Sequence, residues 1–95
     1  PDHALAGNAY YWLGETYYVR DDYERAAKAF ARGYKAFPDG AKAPDNLLKL
    51  GMALSGMNQT TQACTTFDKL RADHPDAPAA IRERLERERQ KFGCP

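Results

Sequence analysis

Nearly every landmark of this chain occurs twice, 37 positions apart. Leu13/Leu50, Gly14/Gly51, Ala26/Ala63, Phe30/Phe67 and Pro38/Pro75 are identical pairs at that shift, and Tyr10 and Tyr17 answer to Leu47 and Leu54. In each copy an apolar stripe at i, i+3, i+4 and i+7 is followed by a short polar turn and a second apolar stripe, which is a helical hairpin. One such hairpin cannot bury its apolar face alone, so the copies must stack on each other. The same phase runs through Pro1-Asp2, Pro38-Asp39 and Pro75-Asp76.

A stack needs only neighbour contacts, so 95 residues suffice for one domain, although a single compact core of that size would be marginal. The 43% apolar and 28% charged content is that of a folded, soluble chain. A net charge of +1 supplies no field for nucleic acid or an acidic membrane. The apolar runs are too short to insert in a bilayer, and no signal-peptide pattern is present. Pro1 stands where an initiator methionine would, so the chain reads as an excised or processed piece of a longer protein.

Taken in order, the spacing predicts a lead-in to Gly7, a first helix over about 8–19 and a second over about 22–36. A third follows over about 45–54, a fourth over about 60–73, and a last over about 79–92. Gly14 and Gly51 lie on the packing stripe, where glycine costs roughly 1 kcal/mol against alanine. Their presence predicts helix crossings too close for a Cβ. Phe30 is expected to fill the groove between the hairpins. Asp21 is expected to cap the second helix with Glu24 as its capping-box partner, and Asn58 occupies the equivalent place. The last helix has few apolar residues, Ile81, Leu85 and Phe92, and reads as a terminal cap with Glu83/Arg87 and Arg84/Glu88 pairs on a solvated face.

These spacings are those of the tetratricopeptide repeat. The expected fold is therefore an all-α, right-handed tetratricopeptide superhelix: repeat 1 over about 8–38, repeat 2 over about 45–75, and a capping helix over about 79–92. The stretches AYYWLGETYY, DYERAAKAF, YKAFPDGAKAPDNLLKLGMAL and CTTFDKLRADHPDAP together resemble the C-terminal repeat domain of the YbgF/CpoB family, the Tol-Pal-associated cell division coordinators. Outer-membrane assembly lipoproteins of the BamD type share the period and some of the wording.

The resemblance implies a non-catalytic binding module exported to the periplasm. In that family it contacts TolA and connects Tol-Pal envelope constriction with the peptidoglycan synthase machinery during division. It also implies a homotrimer formed through an N-terminal coiled coil outside this sequence. The alternative is a structural scaffold of another envelope complex without a free peptide ligand. This chain departs from the family in its two cysteines and in a second repeat without the Trp and Tyr of the first.

Cys64 falls near the start of the fourth helix and Cys94 just past the end of the fifth. Adjacent helices in such a stack are antiparallel, so these ends should meet, and an oxidising compartment would join them as a disulfide. The alternative is Cys64 as a small core residue and Cys94 as a free thiol. No metal site is expected, because His3 and His74 lie in different repeats and no ligand spacing occurs. No cofactor is implied, no catalytic set is spaced for nucleophilic or acid-base chemistry, and no Gly-rich phosphate loop is present.

Tyr10 and Tyr17 are expected in the core. Asn8, Tyr11, Glu15 and Tyr18 follow a second stripe, which faces the concave groove when the first helices of successive repeats align. The third helix adds Asp45, Leu48, Met52 and Ser55 to that stripe, and the fifth adds Arg82, Leu85 and Arg89. A groove aromatic at one end and basic at the other fits an extended or helical peptide of mixed character. The other reading has a further N-terminal segment covering Tyr11 and Tyr18.

Overall fold

The computed structural model describes residues 3–95, with side chains from Gly7 onward. It contains α1 (His3–Tyr18), α2 (Tyr23–Ala36), α3 (Ala43–Gly56), α4 (Thr60–Asp73) and α5 (Ala79–Lys91), and no strand among the described residues. Each helix packs on the next in sequence, while α1 touches α3 and α3 touches α5. The odd-numbered helices thus form one layer of the stack, with α2 and α4 behind them.

The closest approaches occur at the glycines on the packing stripe. A Cβ on Gly14 would overlap the Phe30 ring, and one on Gly51 would overlap the Phe67 ring. Both rings are fully buried. Each hairpin is closed by a phenylalanine laid flat on a glycine of its partner helix. Between the hairpins the same device recurs. A Cβ on Gly33 would lie 2.7 Å from Asn46 Nδ2, and one on Gly56 would lie 2.6 Å from the Tyr23 ring. Phe30 also belongs to the cluster of Ala26, Ala27 and Ala53 that joins α2 to α3.

The turns differ from the sequence expectation by one residue. Asp21 and Asn58 do not cap the following helices; they take left-handed backbones, with φ of 60° and 61°. The Asp22 N–H donates to the Tyr17 carbonyl and the Asp21 N–H to the Tyr18 carbonyl, both at 3.0 Å. Gln59 to Leu54 and Asn58 to Ser55 repeat the pair at 2.9 Å. This is the Schellman closure of a helix C-terminus, in which Asp and Asn stand where glycine is usual. Asp22 is the cap of α2, accepting from the Arg25 N–H at 3.3 Å. Glu24 pairs with Lys28 at 3.4 Å instead of completing a capping box.

Two helices start earlier than the pattern suggested. The helix α1 begins at His3, not at Asn8, because the alanine-rich HALA stretch continues it; Asn8 lies inside the helix. The helix α3 begins at Ala43 with Pro44 in its first turn, where the missing N–H breaks no bond. The stripe of α1 is also less buried than expected. Leu13 is 45% exposed, and Tyr10 and Tyr17 are only half-buried.

The terminal helix α5 is held by unlike means at its two faces. Leu85 enters the cluster of Leu47, Leu48, Met52, Phe67 and Leu70, with Ile81 and Phe92 at its edge. Glu88 and Arg89 are buried too, so the inner face carries charge where α3 carries Gly51 and Met52. Arg84 meets Glu88 at 2.9 Å, whereas Glu83 and Arg87 form no ion pair among the described residues. Arg89 donates to Asp68 of α4 and to the Pro95 carbonyl. Gly93, with φ 67°, closes a third Schellman turn, the Cys94 N–H donating to Arg89 at 2.9 Å. That turn sends the chain back to α4, where Cys94 is disulfide-bonded to Cys64 across 30 residues with a Cα–Cα separation of 5.4 Å.

Gly51→Ala is expected to lower the urea midpoint, because overpacking against the Phe67 ring costs about 1–3 kcal/mol, against a propensity gain of ~1 kcal/mol; a midpoint at or above the parent value would refute the close crossing. Reducing the disulfide should remove about 3–4 kcal/mol by the chain-entropy argument. Equal midpoints with and without reductant would contradict it.

Candidate functional site

The layer of α1, α3 and α5 was expected to present one continuous groove. Its two halves behave differently. On the α3–α5 side, Leu48, Met52 and Leu85 are 4%, 5% and 2% exposed and belong to a single core cluster. Ser55 is buried with them. Arg89 is 7% exposed and faces Asp68, Glu86 and the C-terminal carbonyl, and Arg82 is exposed with its Nε on the Ala77 carbonyl at 2.9 Å. The helix α5 therefore fills this half with its own side chains. Leu48, Met52, Leu85 and Arg89 hold the cap in place, and neither they nor the buried Ser55 are open to a ligand.

The α1–α3 side is open. Asn8, Tyr11, Glu15 and Tyr18 come from one face of α1, all half-buried, and Asp45 faces them from the first turn of α3. Tyr11 is anchored on the Phe30 ring at 5.9 Å and edge-on to Trp12 at 5.1 Å. Tyr18 lies edge-on to Tyr23 at 5.4 Å and touches both core clusters. Their inner edges are fixed by packing and their outer edges face the groove.

Two residues absent from the sequence reading complete the surface. Lys42 holds its ammonium 4.6 Å from the Tyr11 ring centre and 5.6 Å from that of Trp12. Lys49 lies 5.2 Å from the Tyr18 ring centre and pairs with Glu15 Oε1 at 3.1 Å. Lys42, Asp45 and Lys49 share an i, i+3, i+7 stripe, a pattern visible in sequence that becomes significant only once α3 is laid beside α1. Lys49 is neutralised within the domain. Lys42 has no carboxylate partner among the described residues, and Trp12 beside it is 59% exposed.

The chemistry available is that of recognition. Flat aromatic edges cover apolar side chains, an ammonium over two rings donates to a carboxylate or a carbonyl, and Glu15 and Asp45 offer acceptors for N–H groups. Tyr11 keeps its proton: burial, then the carboxylates of Glu15 and Asp45, push its pKa up to about 12. Burial raises Tyr18 as well. Both phenols are hydrogen-bond donors at neutral pH. Among the described residues no three metal-ligating side chains cluster, and no helix is long and apolar enough to cross a membrane.

Two tetratricopeptide-repeat family models match the chain, over residues 7–39 and 45–77, which together are more than half of it. The chain belongs to the tetratricopeptide-repeat family. The matched spans coincide with the two hairpins α1–α2 and α3–α4, and α5 stands outside them as an added helix. A tetratricopeptide domain is a non-catalytic scaffold whose general role is to bind other proteins. No curated protein matches the chain.

Tyr11 holds its proton more tightly folded than unfolded, where its pKa is 10.0. Stability should therefore be level up to about pH 10 and fall as pH rises from there toward 12. Tyr18 and Tyr34 shift in the same direction and add to this window. Denaturation midpoints across it should fall less steeply in Tyr11→Phe, and an identical slope would show that Tyr11 is not the group responsible.

Proposed function

We propose that this domain is a periplasmic protein-interaction module that binds a segment of a TolA-like envelope protein in the α1–α3 groove. On this reading it helps couple Tol-Pal constriction to peptidoglycan synthesis in cell division. The observation that carries the groove is the Lys42 ammonium, which stands over Tyr11 and the exposed Trp12 and has no carboxylate partner among the described residues. A cation held over two rings without a counter-ion is a preformed contact for a partner's carboxylate or carbonyl. The envelope assignment draws on the wording shared with the YbgF/CpoB family, and the disulfide that ties α5 down suits an oxidising compartment.

Trp12, Leu13 and Val19 of α1 are large apolar residues 59%, 45% and 75% exposed, and they favour a second reading, a scaffold that packs against other subunits of an envelope assembly. Concentration-dependent sedimentation separates the two. A free-ligand module stays monomeric, while a scaffold of this kind associates through α1.

Calorimetric titration with the soluble periplasmic part of the cognate TolA, under oxidising conditions, should give saturable one-to-one binding. Tyr11→Ala and Lys42→Ala should each weaken it roughly tenfold while leaving the helical circular dichroism intact. Absence of heat and of co-elution would reject the partner. Binding that survives both substitutions would reject the groove.

A further inference from the structure

The joint between α4 and α5 is built unlike the joint between α2 and α3. In the earlier joint a Cβ on Gly33 would lie 2.7 Å from Nδ2 of the buried Asn46. Phe37, Gly40 and Asn46 leave a void of only about 10 Å³ beside it. A shift of 37 residues replaces Gly33, Phe37 and Asn46 by Leu70, His74 and Glu83. Leu70 holds a neighbouring helix off where Gly33 admits one. The helix α5 meets α4 instead through Arg89 on Asp68 and Glu86 on Arg71, the latter at 3.7 Å. Between them lies a crevice of about 280 Å³ that the stacking of the two repeats does not produce.

The floor of this crevice is apolar and its rim cationic. Leu70, Ala77 and Leu85 are buried, and Ile81 is half-buried beside them. Arg82 lines the crevice from α5, its Nε donating to the Ala77 carbonyl at 2.9 Å. That bond fixes the guanidinium plane, and Arg82 has no carboxylate partner among the described residues. Arg71 lines the crevice from α4, with long, exposed pairings to Glu86 at 3.7 Å and Asp68 at 3.9 Å of a kind that solvent makes weak. Glu86 is shared with Arg89 at 3.6 Å. Two guanidinium groups thus border an apolar floor, and the one carboxylate among them is already drawn to two cations.

Size and backbone narrow the occupant. A volume of about 280 Å³ lies just under the roughly 300–1,000 Å³ of pockets for drug-sized ligands, enough for a ring or a short alkyl chain with its carboxylate. A polypeptide laid across the mouth would need partners for its own amides. The loop there has spent the groups that could pair with them. Pro75 and Pro78 have no N–H, the Ala77 N–H donates to the His74 carbonyl, and the Ala77 and Pro78 carbonyls accept from Arg82 and Ile81. We propose that the crevice between α4 and α5 binds a compact apolar monocarboxylate, an aryl or medium-chain alkyl acid, with its apolar end on Leu70, Ile81 and Leu85 and its carboxylate on Arg82 and Arg71. This site is independent of the groove proposed above.

The probe is phenylpropionate, titrated into the isotope-labelled 95-residue protein under oxidising conditions and followed by backbone amide chemical shifts. The shifts should be largest at Leu70, Ile81, Arg82 and Leu85 and half-saturate on the order of 1 mM. Phenylpropanamide keeps the ring without the charge, and acetate keeps the charge without the ring; each should bind roughly tenfold more weakly. Arg82→Gln and Arg71→Gln, both at exposed positions, should each weaken the acid by a similar factor without loss of helicity and leave the amide unaffected. Tyr11→Ala should change neither. Equal binding of acid and amide, no shifts at the crevice, or shifts spread evenly over the arginines of α5 would overturn the proposal. So would acid binding that survives Arg71→Gln and Arg82→Gln, or tighter binding of the peptide Gly-Gly-Phe, whose free carboxyl end would mark the crevice as a seat for a polypeptide terminus.

Discussion

The contact on which the rest depends is a phenylalanine ring lying on a glycine. Phe30 on Gly14 and Phe67 on Gly51 bring the two helices of each hairpin closer than any side chain on the stripe would permit. That closeness determines the tilt at which each hairpin presents its outer faces, and so where the next helix can sit. Because interiors are close-packed, this geometry is not adjustable in small steps. Gly33 under Asn46 and Gly56 under Tyr23 extend the constraint from within the hairpins to between them.

At its two ends the stack solves different problems. The C-terminal end has a helix poor in apolar residues, and it is secured by Leu85, by the Arg89 links to Asp68 and the chain end, and by a covalent bond. Each of these restrains a helix whose hydrophobic contribution alone would be small. At the other end α1 leaves aromatic and aliphatic surface open, with Tyr11 and Trp12 beside Lys42. The aliphatic stripe of the second repeat is consumed by packing.

The parts legible in the sequence were those that depend on periodicity. The helix order, the close glycine crossings, the burial of Phe30 and the meeting of Cys64 with Cys94 all follow from residue spacing and antiparallel neighbours. The turns lie one residue off the sequence expectation, because Asp and Asn serve both as N-caps and in left-handed closures, and only backbone conformation separates the two uses. Half of the candidate groove was misplaced for a different reason. Leu48, Met52 and Leu85 fall on the expected stripe, but a stripe does not say how closely its neighbour lies.

The sequence by itself determined that this chain is an all-α stack of two tetratricopeptide hairpins and an added helix, since a 37-residue repeat of apolar stripes admits few other ways to leave water. Tertiary structure alone decided which stripe remains open. The α5 helix closes against α3 and removes that half of the groove, while Lys42 and Lys49 reach across from α3 onto the tyrosines of α1. Those are contacts between elements about 30 residues apart in sequence, and their geometry comes from helix crossing distances that no local pattern encodes.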